Sequence, residues 1–233
     1  MNRILDALFA PIARLAVARG VMFPQAAARL KVQFLRGAEA LADAPNDSRI
    51  SVMTGLQRRD IARLRALPED APVVHHLSRL VAIWVADHPK VLDRKSFDAL
   101  AASVRKDVHP RTLLEQLVDA GTVVVDADRV TRVKRSYQPA AGSVDQLDFL
   151  AANGGDFLNA GVQNVIAGAG HFERAAHFNQ LSPEAVADLQ ALFADRQMAV
   201  LEEVAARARD LQDDSPGTHR FRAGGFFYAE ESD

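Results

Sequence analysis

The hydrophobic pattern at the start of the chain predicts two amphipathic helices. Apolar residues recur at three- and four-residue spacing over residues 4–19 and again over residues 24–41. Gly20 ends the first helix, and Pro11 inside it predicts a kink. Charged residues interrupt the first apolar run, so it differs from a secretory signal peptide, and no stretch approaches the roughly 18 apolar residues of a membrane span. We therefore expect a cytoplasmic protein with no membrane contact.

Residues 48–67 predict two short helices separated by a tight turn. Thr54 and Gln57 have the spacing of a capping box for the second helix, which is expected to end before Pro68. Gly55 lies in the turn between the two helices. Two short helices joined by a glycine-containing turn form the helix-turn-helix pattern.

The segment over residues 73–139 predicts a group of helices followed by a β-hairpin. Apolar residues at helical spacing are succeeded by two β-branched runs that flank a turn-forming segment. This order of helices and hairpin is that of a winged-helix unit. The predicted elements are helices over 73–86, 96–104 and 110–120 and strands over 122–125 and 130–134.

The chain after residue 139 is expected to be helical again. A stretch of small residues at 139–143 is the best candidate for a linker. Helices are expected over 144–152 and 157–166, separated by two glycines, and over 183–211, which begins at a Ser-Pro-Glu start signal. The apolar stripe of this last helix either packs on its own domain or pairs two chains as a homodimer. The aromatic, glycine-rich tail is a candidate closing strand.

These patterns predict a mainly α protein with three regions. A helix-turn-helix region precedes a winged-helix-like unit with one small β-hairpin, and an acidic helical C-terminal region follows, with dimerisation as one expected role. The three regions span residues 1–72, 73–139 and 140–233.

The distribution of charge along the chain adds a functional prediction to these three regions. The net charge is −2, but residues 1–139 hold 22 Lys and Arg against 15 Asp and Glu, whereas residues 140–233 hold 6 against 15. The two parts therefore carry +7 and −9. A basic front half favours a nucleic-acid partner, and the alternative is that the two halves neutralise each other within the protein.

The strongest candidate for DNA contact is the predicted helix over 55–67. Its apolar residues share one face, and its arginines lie on the opposite face with small residues between them. Arginine pairs with phosphate and with guanine edges, so this pattern suits a recognition helix; the alternative is an ordinary solvated basic face. The candidate residues are Gln57, Arg58, Arg59, Arg63 and Arg65.

The predicted hairpin is a second basic candidate. Four cations lie on or beside its second strand, and contacts from such a hairpin to phosphate position a protein without reading sequence. The alternative is a basic strand that pairs with the acidic second half. The helix over 110–120 is expected to stay outside DNA, because two carboxylates on its outer face repel phosphate. The hairpin candidates are Arg129, Arg132, Lys134 and Arg135.

Signals for an enzyme are poor in this sequence. The chain has no cysteine and lacks the nucleophile-elbow, phosphate-loop and zinc-protease motifs. His171 and His177 are six residues apart, which does not place both on one helical face as zinc ligands. We therefore expect a non-enzymatic protein with no metal and no cofactor.

Several segments resemble known families. SRISVMTGLQRRDIARL resembles the helix-turn-helix of bacterial winged-helix regulators, particularly the isocitrate-lyase-repressor type, in which a TGL turn precedes the recognition helix. Together with ADHPKVLD, SFDALAASVRKDVHPRTLLEQLVDAGTVV and GGFFYAEE, it resembles an uncharacterised bacterial family, domain of unknown function 6502. The regulator resemblance implies that Arg58, Arg59 and Arg63 face DNA.

The sequence therefore predicts a transcriptional regulator that binds double-stranded DNA through the arginine-rich helix and the basic hairpin. The alternative is an adaptor that uses the same modules to bind proteins, with its basic face covered by its own acidic half or by a partner.

Overall fold

The computed structural model describes residues 1–68, 76–215 and 217–231. The chain is mainly helical and divides into two compact units, Met1–Pro72 and Val73–Asp233. The helical class and the single hairpin expected from the sequence are confirmed, and a third short strand extends the hairpin into a small sheet. The predicted division of the second unit at residue 139 stays a prediction.

The first unit is a small three-helix core preceded by a long helix. Six buried side chains among its described residues are contributed by the second, third and fourth helices, which contact one another in every pair. These side chains are Val32, Leu35, Ala38, Ile50, Ile61 and Leu64. The helices are α1 (Asn2–Ala18), α2 (Phe23–Leu41), α3 (Asp47–Thr54) and α4 (Arg58–Arg65).

Helix α1 is continuous through Pro11, and none of its residues is buried. Three of its apolar side chains, Ile4, Leu8 and Ile12, keep between 41% and 57% of their surface exposed. The amphipathic pattern at residues 4–19 therefore gives the predicted helix, but its apolar face is not part of the core of the first unit.

The second unit begins with helices that surround a three-stranded antiparallel sheet of order β1-β3-β2. The first strand has only three residues, too short a run for the sequence pattern to reveal it. The beginning of the first predicted helix, at residues 73–75, lies outside the described residues. The elements are α5 (His76–Asp87), β1 (Val91–Asp93), α6 (Arg94–Val104), α7 (Pro110–Asp119), β2 (Val123–Asp126) and β3 (Arg129–Arg132).

A single apolar cluster holds these elements together. Trp84 and Phe97 are fully buried, with their ring centroids 5.6 Å apart. The Trp84 indole donates its Nε1 hydrogen to the carbonyl oxygen of Pro89, 2.9 Å away. This bond joins the end of α5 to the residues that lead into β1, so the aromatic pair also fixes the start of the sheet.

Among the described residues after 143, the second unit contains two long helices, α8 (Val144–Ala167) and α9 (Pro183–Asp214), joined and followed by segments without regular secondary structure. The expected break in α8 at its paired glycines is wrong. A glycine in a helix costs about 1 kcal/mol but keeps its backbone N–H, so helical hydrogen bonding continues through it. The closing strand expected in the tail is also wrong, because residues 217–231 form no strand.

Two arginines attach the tail to α8. Arg220 donates two hydrogen bonds to the Asp156 carboxylate, at 2.9 and 2.8 Å, and Arg222 donates a third at 2.7 Å. These bonds hold the pKa of Asp156 well below its usual range. One carboxylate on the middle of α8 therefore anchors the last described segment of the chain.

We expect acidification to release this tail. The folded pKa of Asp156 lies below the unfolded value of about 3.9, so the stabilisation is present above that pH and is lost as the pH falls towards the folded pKa. Asp156→Asn is expected to release the tail already at neutral pH. Amide heteronuclear NOE values of residues 217–231 measure this release, and Asp188→Asn on α9 is the control. Equal NOE values in both variants and across the acid range would contradict the expectation.

None of the helices in the described residues combines the length and the apolar character that a membrane span requires.

Candidate nucleic-acid interface

The turn between α3 and α4 is fixed by local hydrogen bonds. Gly55 adopts a φ of +74°, a left-handed conformation that favours glycine, and ends α3. The Thr54 hydroxyl donates to the carbonyl of Ile50 and accepts from the amide of Leu56, while Ser51 donates to the carbonyl of Leu56 at 2.7 Å. The direction in which α4 leaves α3 is therefore defined by side chains as well as by the core.

The capping box expected for α4 is wrong. Thr54 is the last residue of α3, and Gln57 occupies the N-cap position of α4 without a side-chain capping bond. The helix begins at Arg58 and ends at Arg65, shorter than the expected span. The Thr54 hydroxyl is engaged in the turn, so it is not available to cap the second helix.

Three candidate residues lie at the beginning of α4. Gln57, Arg58 and Arg59 are exposed, and within the described part of the chain neither arginine has a carboxylate at ion-pair distance. Cations at a helix N-terminus oppose the helix dipole, at a cost of roughly a few tenths of a kcal/mol or more each. Arg58 and Arg59 therefore do not stabilise α4, so helix stability does not explain their presence.

The other two arginines of α4 differ in their contacts. Arg63 keeps 69% of its side chain exposed and makes a weak pair with Asp60 at 3.3 Å. Arg65 donates to Glu39 on α2 at 2.8 Å and to Asp47 on α3 at 3.0 Å, and these hydrogen bonds raise the pKa of its guanidinium.

Arg65 therefore joins the three helices of the core at the surface and positions α4. The sequence pattern placed it among the DNA contacts, because the carboxylates that engage it are 26 and 18 residues away along the chain. No local signal in the sequence reveals these two pairs.

The hairpin uses most of its cations inside the chain. Lys134 donates to the carbonyl of Ala120 at 2.8 Å, and Arg135 pairs with Glu202 on α9. Arg132 is half-buried, donates to the carbonyl of Lys134, and has its pKa lowered by burial and by the nearby Arg135. The basic surface expected on this hairpin is therefore largely occupied.

Arg129 is the exposed cation at the turn of the hairpin. It lies opposite Asp93 on β1 and opposite Asp126 on β2 in the strand register. Two flanking carboxylates reduce its attraction for phosphate.

The outer face of α7 is acidic, as its sequence pattern indicates. Thr112, Glu115, Gln116 and Asp119 are exposed, and Arg111 pairs with Glu115 at 2.9 Å. With its one arginine neutralised, this helix offers phosphate less attraction than α4 does.

The described residues contain no group of three or more histidine and acidic side chains arranged to hold a metal ion. His171 bonds through its ring Nε2 to Gln163 on α8 and through its backbone to Asn164. Its contacts therefore hold the segment after α8 against that helix.

Comparison with known proteins identifies a family. No curated protein and no solved structure matches the chain. The model of a family of unknown function, DUF6502, matches residues 5–233. Since this match covers nearly the whole sequence, the chain belongs to the family of unknown function DUF6502.

Proposed function

We propose that this protein binds double-stranded DNA through α3 and α4, which act as a helix-turn-helix, and that it serves as a transcriptional regulator. The observation that carries the proposal is the pair Arg58 and Arg59. Both are exposed at the N-terminus of α4, free of ion pairs within the described residues, and unfavourable for the helix itself.

The arrangement around α4 suits entry into a DNA groove. Recognition helices contact base edges mainly with their N-terminal residues, which here are Gln57, Arg58 and Arg59. Arginine binds the O6 and N7 atoms of guanine through two hydrogen bonds, and glutamine binds adenine in the same way. Arg63, one turn further along, is exposed and suits a phosphate contact.

Buried side chains and ion pairs support α4 from behind. Ile61 and Leu64 are buried in the core, and Arg65 is tied to α2 and α3. A helix held in this way loses little conformational freedom on binding, which favours affinity.

In this proposal the second unit contains a winged helix with a supporting role. Its order of elements, α5-β1-α6-α7-β2-β3, supports that interpretation. The acidic face of α7 and the occupied cations of the hairpin argue that α4 supplies most of the attraction for DNA.

The test is a fluorescence-anisotropy titration with duplex DNA at low salt. Replacing Arg58, Arg59 and Arg63 by alanine is expected to weaken binding at least 100-fold. Each phosphate contact contributes about 0.9 to the slope of log affinity against log salt, so the loss of the Arg63 contact is expected to lower the slope by about 1.

A matched control separates α4 from general charge. Arg111→Ala/Arg174→Ala/Arg196→Ala removes three exposed arginines elsewhere in the described chain, with the same change in net charge. It is expected to weaken binding less than 5-fold. Equal affinity of the wild type and the α4 variant would overturn the proposal.

One observation favours the adaptor as a second candidate. The pair between Arg135 and Glu202 attaches the residues after the hairpin to the acidic α9 of the same chain, so the charge of Arg135 is paired within the protein. A wild-type protein that binds no duplex DNA at low salt would support the adaptor and exclude the regulator.

A further inference from the structure

We propose that the C-terminal region, defined as residues 140–231, is completed by the same region of a second copy of this chain. The inference goes beyond DNA binding, and it rests on how this region exposes its apolar residues.

The C-terminal region has no core of its own. Among the described residues from 140 to 231, none is buried, although α8 and α9 are the two longest helices described. The buried cluster of the second unit ends at Tyr137 and contains no residue of α8 or α9. Because most helical stability in proteins comes from tertiary packing of an apolar face, these two helices require a further surface to pack against.

The accessible surface of the whole chain is also large, and both α1 and the C-terminal region contribute to it, since neither contains a buried residue among those described. It measures 17523 Å². Two separate globular bodies with the lengths of the two units are expected to expose about 12,300 Å². The chain therefore exposes roughly 5,000 Å² more than even fully separated compact units.

A large part of the exposed apolar surface lies in the C-terminal region. Seven aromatic residues there have exposed fractions between 39% and 89%. At about 150–250 Å² for each aromatic side chain, they hold roughly 900 Å² of accessible surface. A stable interface takes about 800 Å² from each partner, so the exposed aromatic area is of the size that a stable dimer needs.

The exposed apolar residues are spread along the whole C-terminal region, which favours a partner of similar length. Phe172 and Phe178 lie on the segment before α9, Phe221 and Tyr228 lie on the tail, and Val165 lies near the end of α8. At about 1.5 Å per residue, the 32-residue α9 is about 48 Å long. A peptide bound in a groove leaves most of these apolar residues exposed. The C-terminal region of a second copy has the same length and covers them.

The spacing on α9 supplies a seam for this pairing. Val186, Phe193 and Val200 recur every seven residues, the interval at which two long helices contact each other, and Arg207 ends the series. The Phe193 ring lies 6.0 Å from that of Phe227, so the tail forms part of this seam. Val200 keeps 51% of its surface exposed. Two-fold pairing places the same stripe on both sides of the interface, so each copy covers the other.

Sedimentation velocity on the full-length protein, from nanomolar to micromolar concentration, tests the proposal. We expect a species of twice the 25.4 kDa chain mass. Val200→Asp is expected to raise the dissociation constant of the dimer at least 100-fold, because a two-fold interface then contains two buried carboxylates. Ala191→Asp is the matched control, since it introduces the same charge at an exposed position on the opposite face of α9, and we expect less than a 5-fold change.

Val200 is exposed in the single chain, so its replacement leaves the described contacts of one copy in place. A wild type that has the mass of a single chain at every concentration would overturn the proposal. Binding of that single chain to another protein or to vesicles would not restore it. A dimer that Val200→Asp and Ala191→Asp weaken equally would also overturn it. These results are independent of DNA affinity, which depends on α4.

Discussion

Replacing Trp84 by alanine is expected to lower the free energy of unfolding of the second unit by about 3–5 kcal/mol. The indole is fully buried, contacts the Phe97 ring, and donates a hydrogen bond to the carbonyl of Pro89. Truncation leaves a cavity in the cluster that joins α5, α6 and the sheet, and it leaves a carbonyl without its donor. Both effects act in the same direction.

Urea denaturation followed by far-ultraviolet circular dichroism measures this loss. Trp84→Phe keeps an aromatic ring beside Phe97 but removes the donor, so a loss of about 1–3 kcal/mol is expected. Val118→Ala, at a position that keeps 41% of its surface exposed, is expected to change stability by no more than about 0.5 kcal/mol. A Trp84→Ala protein with the stability of Val118→Ala would contradict the assigned core.

Ile61→Ala is expected to destabilise the first unit by about 2–5 kcal/mol. Ile61 is fully buried on α4, in a core of only six side chains. A unit of this size has little stability in reserve, so the loss is expected to populate its unfolded form and to weaken DNA binding through α4.

The position of the only tryptophan makes this prediction specific. Trp84 lies in the second unit, so its fluorescence transition is expected to stay unchanged in Ile61→Ala, while hydrogen exchange of α2, α3 and α4 accelerates. Val52→Ala, at a position that keeps 87% of its surface exposed, is the control. Equal acceleration of exchange in both variants would contradict the role of Ile61 in the core.

The sequence predicted helices best where the apolar period was long and the ends carried strong signals. Ser182 followed by Pro183 gives a cap and a first-turn proline, and α9 begins there with Ser182 accepting from the amide of Ala185. The strand β1 was missed, because so short a run carries no measurable alternation and the strand forms by pairing with Arg129, Val130 and Thr131, far along the chain.

For the candidate site, the sequence predicted which helix presents its arginines but not which of them are available. Arg58 and Arg65 look equivalent in a local pattern. The carboxylates that engage Arg65 come from α2 and α3, and the one that pairs with Arg135 comes from α9. Ion pairs between distant segments depend on tertiary distance, which composition and spacing do not contain.

The sequence by itself therefore determined the helical class, the apolar faces and the separation of positive from negative charge, because these follow from residue type and local periodicity. Only the tertiary structure decided how that charge is used. It engages Arg65 and Arg135 with carboxylates, leaves Arg58 and Arg59 exposed, and leaves residues 140–231 without a buried side chain among those described. The physical reason is that burial and ion pairing depend on which distant segments meet, whereas a helix depends mainly on its near neighbours along the chain.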